Sequence, residues 1–386
     1  MRYIKLSISL IVSALGLLVY FVTIPKVDEN EFVNLSVLAG NEALLDDYYF
    51  NGYVYDYGYY HLTNEDILIP NTLPYLQKLD ATGDIEMMLL ENDYPEYAKA
   101  LVNASVVSVS EDYLTSTYFN YDYDSFTEMY GQLNLSILNK ETKKVVEETI
   151  QRDNVSDALY ANIEGIYENY PEVHILVNTI SYINSEDYIE ESELSLISYN
   201  IETKNSSEKA LATKEGYINA TLFNRVQQNK PLQLFKSYDS ESENEQNYLV
   251  NYAEGELMTF DSDGGQYFIS DDNRIYRING NVLFEYDKTG QNIINERLLA
   301  TDYKNGRENL FDYAQPSILD GKLFIMSNDF NNIQQNNAEI KPSHVLIYDL
   351  TSGEILTEAQ VDFSGTKQVD ASDASVDFIG KRPSQD

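Results

Sequence analysis

The chain has no cysteine, no tryptophan and three histidines in 386 residues, and its 26 Lys and Arg are outnumbered by 63 Asp and Glu. Each shortage removes something. Without cysteine there is no disulfide, no thiolate nucleophile and no lipid-modified cysteine. His61, His174 and His344 stand singly in the sequence, without a histidine at zinc-ligand spacing, so they read as packed or surface side chains. A formal charge of −37 disfavours nucleic acid and anionic membrane surfaces as partners. No P-loop, Gly-x-Ser-x-Gly or Gly-x-Gly-x-x-Gly motif is present, so nothing in the motif inventory argues for an enzyme. An extracellular chain without disulfides must rest on a large apolar core, which this length permits and which suits the outside of a bacterium.

Charge is also absent from Leu6 to Ile24. At about 1.5 Å per residue such a helix reaches close to the roughly 30 Å of a bilayer core. Arg2 and Lys5 precede the run, and Asp28, Glu29 and Glu31 follow it, which predicts a single pass with the C-terminal bulk outside. The competing reading is a cleaved signal peptide. The small pair of Ala14-Leu15-Gly16 lies inside the run, and cutting there would leave Leu17 to Val22 exposed, so the uncleaved anchor is favoured. The expected division is a cytoplasmic tail (1–5), a transmembrane anchor (6–25), a stalk (26–34), an ectodomain (35–369) and a disordered polar tail (370–386). Removing the three positive charges of Arg2, Lys5 and Lys26 leaves −40 on the part outside.

The ectodomain is organised by a repeated turn. Val345 to Leu356 reads as strand, turn, strand, with Asp349 opening the turn and Gly353 closing it. An Asp at the first position can bond back to the backbone two residues on, and a closing Gly takes positive φ without a Cβ clash. Asp287 to Gly290 and Asp80 to Gly83 repeat the pattern. Asn139 to Lys143 and Asn200 to Lys204 are longer copies with Lys in place of Gly, and Asp239 is a weaker sixth candidate. The starts are 59, 61, 39, 48 and 62 residues apart. A second element recurs as Glu91-Asn92-Asp93-Tyr94-Pro95-Glu96 and Glu168-Asn169-Tyr170-Pro171-Glu172. Repeats of roughly 40 to 60 residues, one four-stranded unit each, are the signature of a propeller. Early strands around Val54 would pair with late ones to remove the open edge. Ser156 to Tyr167 fits a short helix as well as a strand.

Tyr348-Asp349-Leu350-Thr351-Ser352-Gly353-Glu354-Ile355 and Tyr286-Asp287-Lys288-Thr289-Gly290 resemble the repeats of bacterial YVTN-type and quinoprotein-like β-propellers. The resemblance implies an all-β propeller, most simply of seven blades with six or eight as alternatives, behind one N-terminal transmembrane helix. It implies that the turn joins the two outer strands of a blade. Quinone-dependent members dock Trp between blades; this chain has no Trp, so no cofactor is implied. Cofactor-free members serve as binding or assembly scaffolds.

Two stretches carry candidate sites. Tyr53, Tyr55, Tyr57 and Tyr59 alternate as on one strand and would form either an ordinary packed sheet face or an aromatic platform for sugar rings or a peptide. Asp261, Asp263, Asp271 and Asp272 lie in Gly-rich turns that could give oxygen ligands to Ca²⁺, although the spacing breaks the EF-hand rule and a plain solvated turn is the simpler reading. The expectation is a membrane-anchored, extracytoplasmic interaction module of the bacterial cell envelope with a protein or glycan partner. The alternative is a glycan-binding or glycan-cleaving surface protein.

Overall fold

The computed structural model describes residues 33–54, 58–64, 67–68, 85–119, 131–152, 158–184, 189–215, 217–219, 226–238, 245–260, 265–270, 272–301, 314–327, 343–363 and 374–381. In chain order the first strands are β1 (Asn34–Gly40), β2 (Tyr48–Val54), β3 (Gly58–Leu62) and β4 (Ile67–Leu68). Two helices follow, α1 (Ile85–Asp93) and α2 (Ala98–Asn103). Next come β5 (Val106–Val109), β6 (Tyr113–Phe119), β7 (Gln132–Asn139) and β8 (Val145–Gln151), then β9 (Ala158–Asn169), β10 (Glu172–Asn184), β11 (Ile189–Asn200) and β12 (Asn205–Glu215). The chain continues through β13 (Tyr217–Asn219), β14 (Val226–Gln228), β15 (Leu232–Tyr238), β16 (Glu245–Asn251) and β17 (Glu256–Phe260). It then forms β18 (Gln266–Ile269), β19 (Ile275–Asn279), β20 (Val282–Tyr286) and β21 (Ile293–Leu298). The last strands are β22 (Ala314–Leu319), β23 (Lys322–Ser327), β24 (Ser343–Asp349), β25 (Ile355–Asp362) and β26 (Ala374–Lys381).

These strands make six sheets, the blades of a six-bladed β-propeller. Blade 1 is β26-β2-β3-β4, blade 2 is β14-β5-β6-β7-β8, and blade 3 is β9 to β12 in order. Blade 4 is β13-β15-β16-β17, blade 5 is β18 to β21, and blade 6 is β22 to β25 with β1 added. The blades fall into two compact units: Met1–Ile85 with Ala300–Asp386, holding blades 1 and 6, and Glu86–Leu299, holding blades 2 to 5.

In the first unit both chain ends are exchanged. The early strand β1 lies antiparallel on β25, and the late strand β26 lies antiparallel on β2. The expected pairing of early with late strands is therefore met twice. Its core joins Tyr48, Phe50 and Tyr60 of blade 1 to Phe324, Val345, Ile347 and Val361 of blade 6. In the second unit Leu133, Leu135 and Ile137 pack against Val173, Ile175 and Val177 of blade 3, and further clusters join blade 3 to blade 4 and blade 4 to blade 5. Helices α1 and α2 cover blade 2 with Met87, Tyr97 and Leu101. The Tyr97 hydroxyl is buried there and donates to the Ser136 carbonyl, and it accepts from Ser116 N–H at 3.0 Å.

The repeated turn is real. Asp349 Oδ1 accepts from Thr351 N–H at 2.9 Å and Ser352 N–H at 2.6 Å, and Gly353 closes the turn at φ 74°. Asp287 accepts from Thr289 N–H at 3.1 Å, with Gly290 at φ 69°. Asn139 and Asn200 accept in the same way from Thr142 and Thr203, and Lys143 and Lys204 take the left-handed position at φ 57° and 59°. Each turn joins the third and fourth strands of its blade, as the resemblance implied.

Several expectations are corrected. Six blades stand where seven were favoured, because residues 85–103 form helices, two sheets use a fifth strand, and β9 to β12 run to 11–13 residues each. Ile85 begins a helix rather than continuing a strand. Of the two readings open for Ser156 to Tyr167, the described part from Ala158 on is strand, held by pairing with β10. Asp239 lies outside the described residues, between β15 and β16, and the outer turn of blade 4 is Asn251 to Gly255 instead, with Asn251 Oδ1 accepting from Glu254 N–H at 3.3 Å and Gly255 at φ 62°. The two Tyr-Pro segments are not structural repeats, since Tyr94-Pro95 opens a helical turn and Tyr170-Pro171 closes the β9–β10 hairpin. The span set aside as a disordered tail supplies β26, whose Val376 and Ile379 are buried. The Asp80 turn and the apolar run 6–25 lie outside the described residues. Among the described residues no helix is long and apolar enough to cross a membrane.

Candidate functional site

Tyr53 and Tyr59 come together, but not along one strand. The chain reverses between β2 and β3, so the two residues are direct cross-strand partners. Their rings meet edge to face with centroids 5.3 Å apart, and they stay 36% and 53% exposed. Tyr55 and Tyr57 lie outside the described residues. On the same strands Tyr48, Phe50 and Tyr60 are buried, and the Tyr60 hydroxyl donates to the Ser375 carbonyl at 2.9 Å. That bond locks β26 behind the hairpin that presents the exposed pair. Gly52 is required at this crossing, since a Cβ there would strike the Ser375 carbonyl and the Tyr60 ring. Nearby, the Tyr49 and His61 rings lie 4.6 Å apart, and His61 Nδ1 is 2.8 Å from Asn51 Oδ1.

Of the four acidic candidates, only Asp272 is among the described residues. It accepts from the Ser270 hydroxyl and forms an ion pair with Arg274 Nε at 2.8 Å. No group of three or more His, Asp or Glu among the described residues is placed to hold a metal. His174 bonds Ser198 Oγ at 2.9 Å, and burial lowers its pKa against the opposing pull of Glu172. His344 is buried in β24.

A second polar site went unread in the sequence. In the β9–β10 ladder Leu176 pairs with Gly165 and Val177 with Ile163, which leaves Glu164 as the extra residue of a β-bulge. A bulge frees backbone groups from the ladder and redirects a side chain. Here the Glu164 carbonyl receives two amides, Gln227 Nε2 at 3.3 Å and Gln233 Nε2 at 3.2 Å. The Tyr252 hydroxyl donates to Gln233 Oε1. Gly165 makes room for both, because a Cβ would collide with Gln233 and Tyr252. Burial pushes the Glu164 carboxyl up to about 7, against the hydrogen bond from Asn178 that favours its charge. Burial, and then the Glu164 charge, push the Tyr252 phenol well above its ordinary value.

The bulge lies under a strap. β14 adds to blade 2 by parallel pairing with β5, although it falls in the chain between two strands of blade 4. Gln227 then reaches blade 3 as above. Asn229 N–H donates to the Val109 carbonyl at 3.0 Å, and Lys230 Nζ reaches the Ser270 carbonyl of blade 5 at 3.0 Å. Five residues, Val226 to Lys230, thus touch blades 2, 3 and 5. No local sequence signal marks this site, because the bulge and the strap meet only in the fold.

No family model matches the chain, and no curated protein matches it. Solved structures that it resembles include the Pan2 WD40 domain of Neurospora crassa, at 9% identity over 68% of this chain and 67% of that one with a TM-score of 0.32. The β-propeller domain of the Trilobed protease from Pyrococcus furiosus follows at 14% identity over 65% and 83%, with a TM-score of 0.27. A D477G ACO/RPE65 chimera gives 7% identity, 66% of this chain and a TM-score of 0.28, and this chain spans about half of its length, 49%.

Proposed function

We propose that this chain is a binding module: a six-bladed propeller held outside a bacterial cell by the apolar run 6–25, offering the blade 1 hairpin to a glycan or protein ligand. The observation that carries this reading is the exposed pair Tyr53 and Tyr59, two large rings held in water on a hairpin whose other face is buried. Exposed aromatics braced by a rigid sheet bury flat apolar faces of a ligand at little entropic cost. A ligand seated there meets phenol hydroxyls at its rim, which suits a sugar. The resemblance of the outer turns to those of YVTN-type propellers supports a scaffold role. To the acidic residues Asp261, Asp263, Asp271 and Asp272 we assign a lesser part, the ligation of a Ca²⁺; a chelator would then lower Tm, and an unchanged Tm removes it.

Calorimetric titration of the detergent-solubilised chain with cell-wall oligosaccharides tests the reading. Binding weakened about tenfold or more, some 1.4 kcal/mol, by Tyr53→Ala with Tyr59→Ala supports it. Equal binding by the double variant overturns the site, and release of new reducing ends would make the protein a glycan-cleaving enzyme instead.

A further inference from the structure

The outer edges of the blades are treated unequally. In blade 6 the fourth strand, β25, is covered by the added strand β1, antiparallel from Asn34 to Gly40. In blade 3 the fourth strand, β12, is exposed but polar, with Glu208, Lys209, Lys214 and Glu215 along it. Charged residues are the usual defence of an open edge. Blade 5 has no added strand among the described residues, and its edge is the more apolar. Its fourth strand, β21, pairs with β20 on one side and with no other strand among the described residues. It exposes Ile293 at 49%, Ile294 at 61% and Leu298 at 68%. Ile294 is turned outward by a bulge, since Glu285 pairs with Asn295 and Tyr286 with Ile293. The only charges on the strand, Glu296 and Arg297, cancel.

We propose that the β21 edge accepts a fifth, antiparallel strand from a cationic partner segment in which basic and apolar residues alternate. The edge supplies unpaired backbone groups and the apolar side chains supply burial, the two halves of strand addition. The geometry is one the chain already uses, β1 on β25. Charge selects the partner. A second copy would bring another −37, and an acidic peptide meets the same repulsion.

The test uses the full chain in detergent micelles and a short fluorescent peptide of alternating Lys and Val, with a Glu-Val peptide as counterpart. Anisotropy is read at physiological salt, and hydrogen exchange locates the site. The expected result is binding of the Lys-Val peptide alone, new protection confined to 293–298, and a loss of about tenfold in affinity on Ile294→Lys with Leu298→Lys. Both positions are exposed, and Leu298→Lys alone serves if the double variant is poorly folded. Equal binding by the variants, or protection elsewhere, overturns the proposal. So does protection of β21 without peptide: at high dilution it would mean that this chain covers its own edge, and growing with protein concentration it would mean a second copy.

Discussion

Asn229 holds both backbone groups of Glu168: its Nδ2 donates to the Glu168 carbonyl at 2.7 Å, and its Oδ1 accepts from the Glu168 N–H at 2.8 Å. β9 is the edge strand of blade 3, so one side chain here stands in for a missing neighbouring strand. The same Oδ1 accepts from Ser108 Oγ of blade 2 at 3.2 Å. Glu168 is itself buried, with its carboxylate taken by Ser110 Oγ and Tyr170 N–H. Asn229→Ala is therefore expected to lower stability by about 2 kcal/mol, two partly buried hydrogen bonds at roughly 1 kcal/mol each. Urea denaturation checks it. Asn229→Asp, which keeps the acceptor and loses the donor, should fall between the two.

The Glu164 bulge predicts a pH dependence. Folding raises this carboxyl from its ordinary 4.5 to about 7, so between those values the folded chain holds a proton that the unfolded chain has released. Stability contributed by the protonated form is full below about pH 4.5 and declines as pH rises to about 7. Glu164→Gln keeps a neutral group of the same shape. It should be nearly silent at pH 4 and stabilise the protein above pH 7 by on the order of 2 kcal/mol, allowing for the water the carboxyl still reaches. Denaturation of both proteins at pH 4, 6 and 8 gives the difference directly. A constant difference across that range would mean that Glu164 titrates normally.

How far the sequence reaches is visible in these two sites. Asp287, Asp349, Asn139 and Asn200 were legible because an Asx turn is made within five residues, and the side chain that opens it needs no distant partner. Asn251 does the same work but is followed by Tyr252, Ala253 and Glu254, without the Thr that marks the other copies, and it passed unseen. Glu164 was out of reach for a different reason. Its bulge exists only in register with β10, and the amide of Gln227 arrives from 63 residues away. The same holds for Asn229. Tyr53 and Tyr59 do meet, but across a hairpin and not along one strand, because alternation continues unbroken through a hairpin when both strands are tyrosine-rich.

The turns give a third prediction. Gly353 sits at φ 74°, where an alanine Cβ crowds the backbone, and it carries the N–H that donates to the Asp349 carbonyl at 2.8 Å. Gly353→Ala should cost about 1 kcal/mol. Asp349→Ala removes the acceptor for two N–H groups and should cost a similar amount. Ser352→Ala deletes a bond to Glu354 N–H at 3.2 Å in an exposed turn and should stay within about 0.5 kcal/mol of the parent. Thermal unfolding ranks the three; a larger effect at Ser352 than at Gly353 would contradict the left-handed closure.

The last prediction concerns β26. Its Val376 is fully buried and Ile379 nearly so, and it covers β2 from Tyr48 to Val54. Burying a Val or Ile side chain contributes roughly 1.5 to 3 kcal/mol each, so removing residues 371–386 should take away several kcal/mol from the first unit. The loss should also be local. β2 would become an open edge, and its amides should lose hydrogen-exchange protection, whereas β9 and β10 in the second unit should keep theirs. Because Tyr53 stands on β2, the truncated chain should also bind its ligand more weakly. Tyr60→Phe, which deletes only the hydroxyl that donates to Ser375, should reproduce a fraction of this loosening, about 1 kcal/mol, with the full chain present. Undiminished protection of β2 after truncation would show that the C-terminal strand is an ornament on blade 1 rather than one of its structural members.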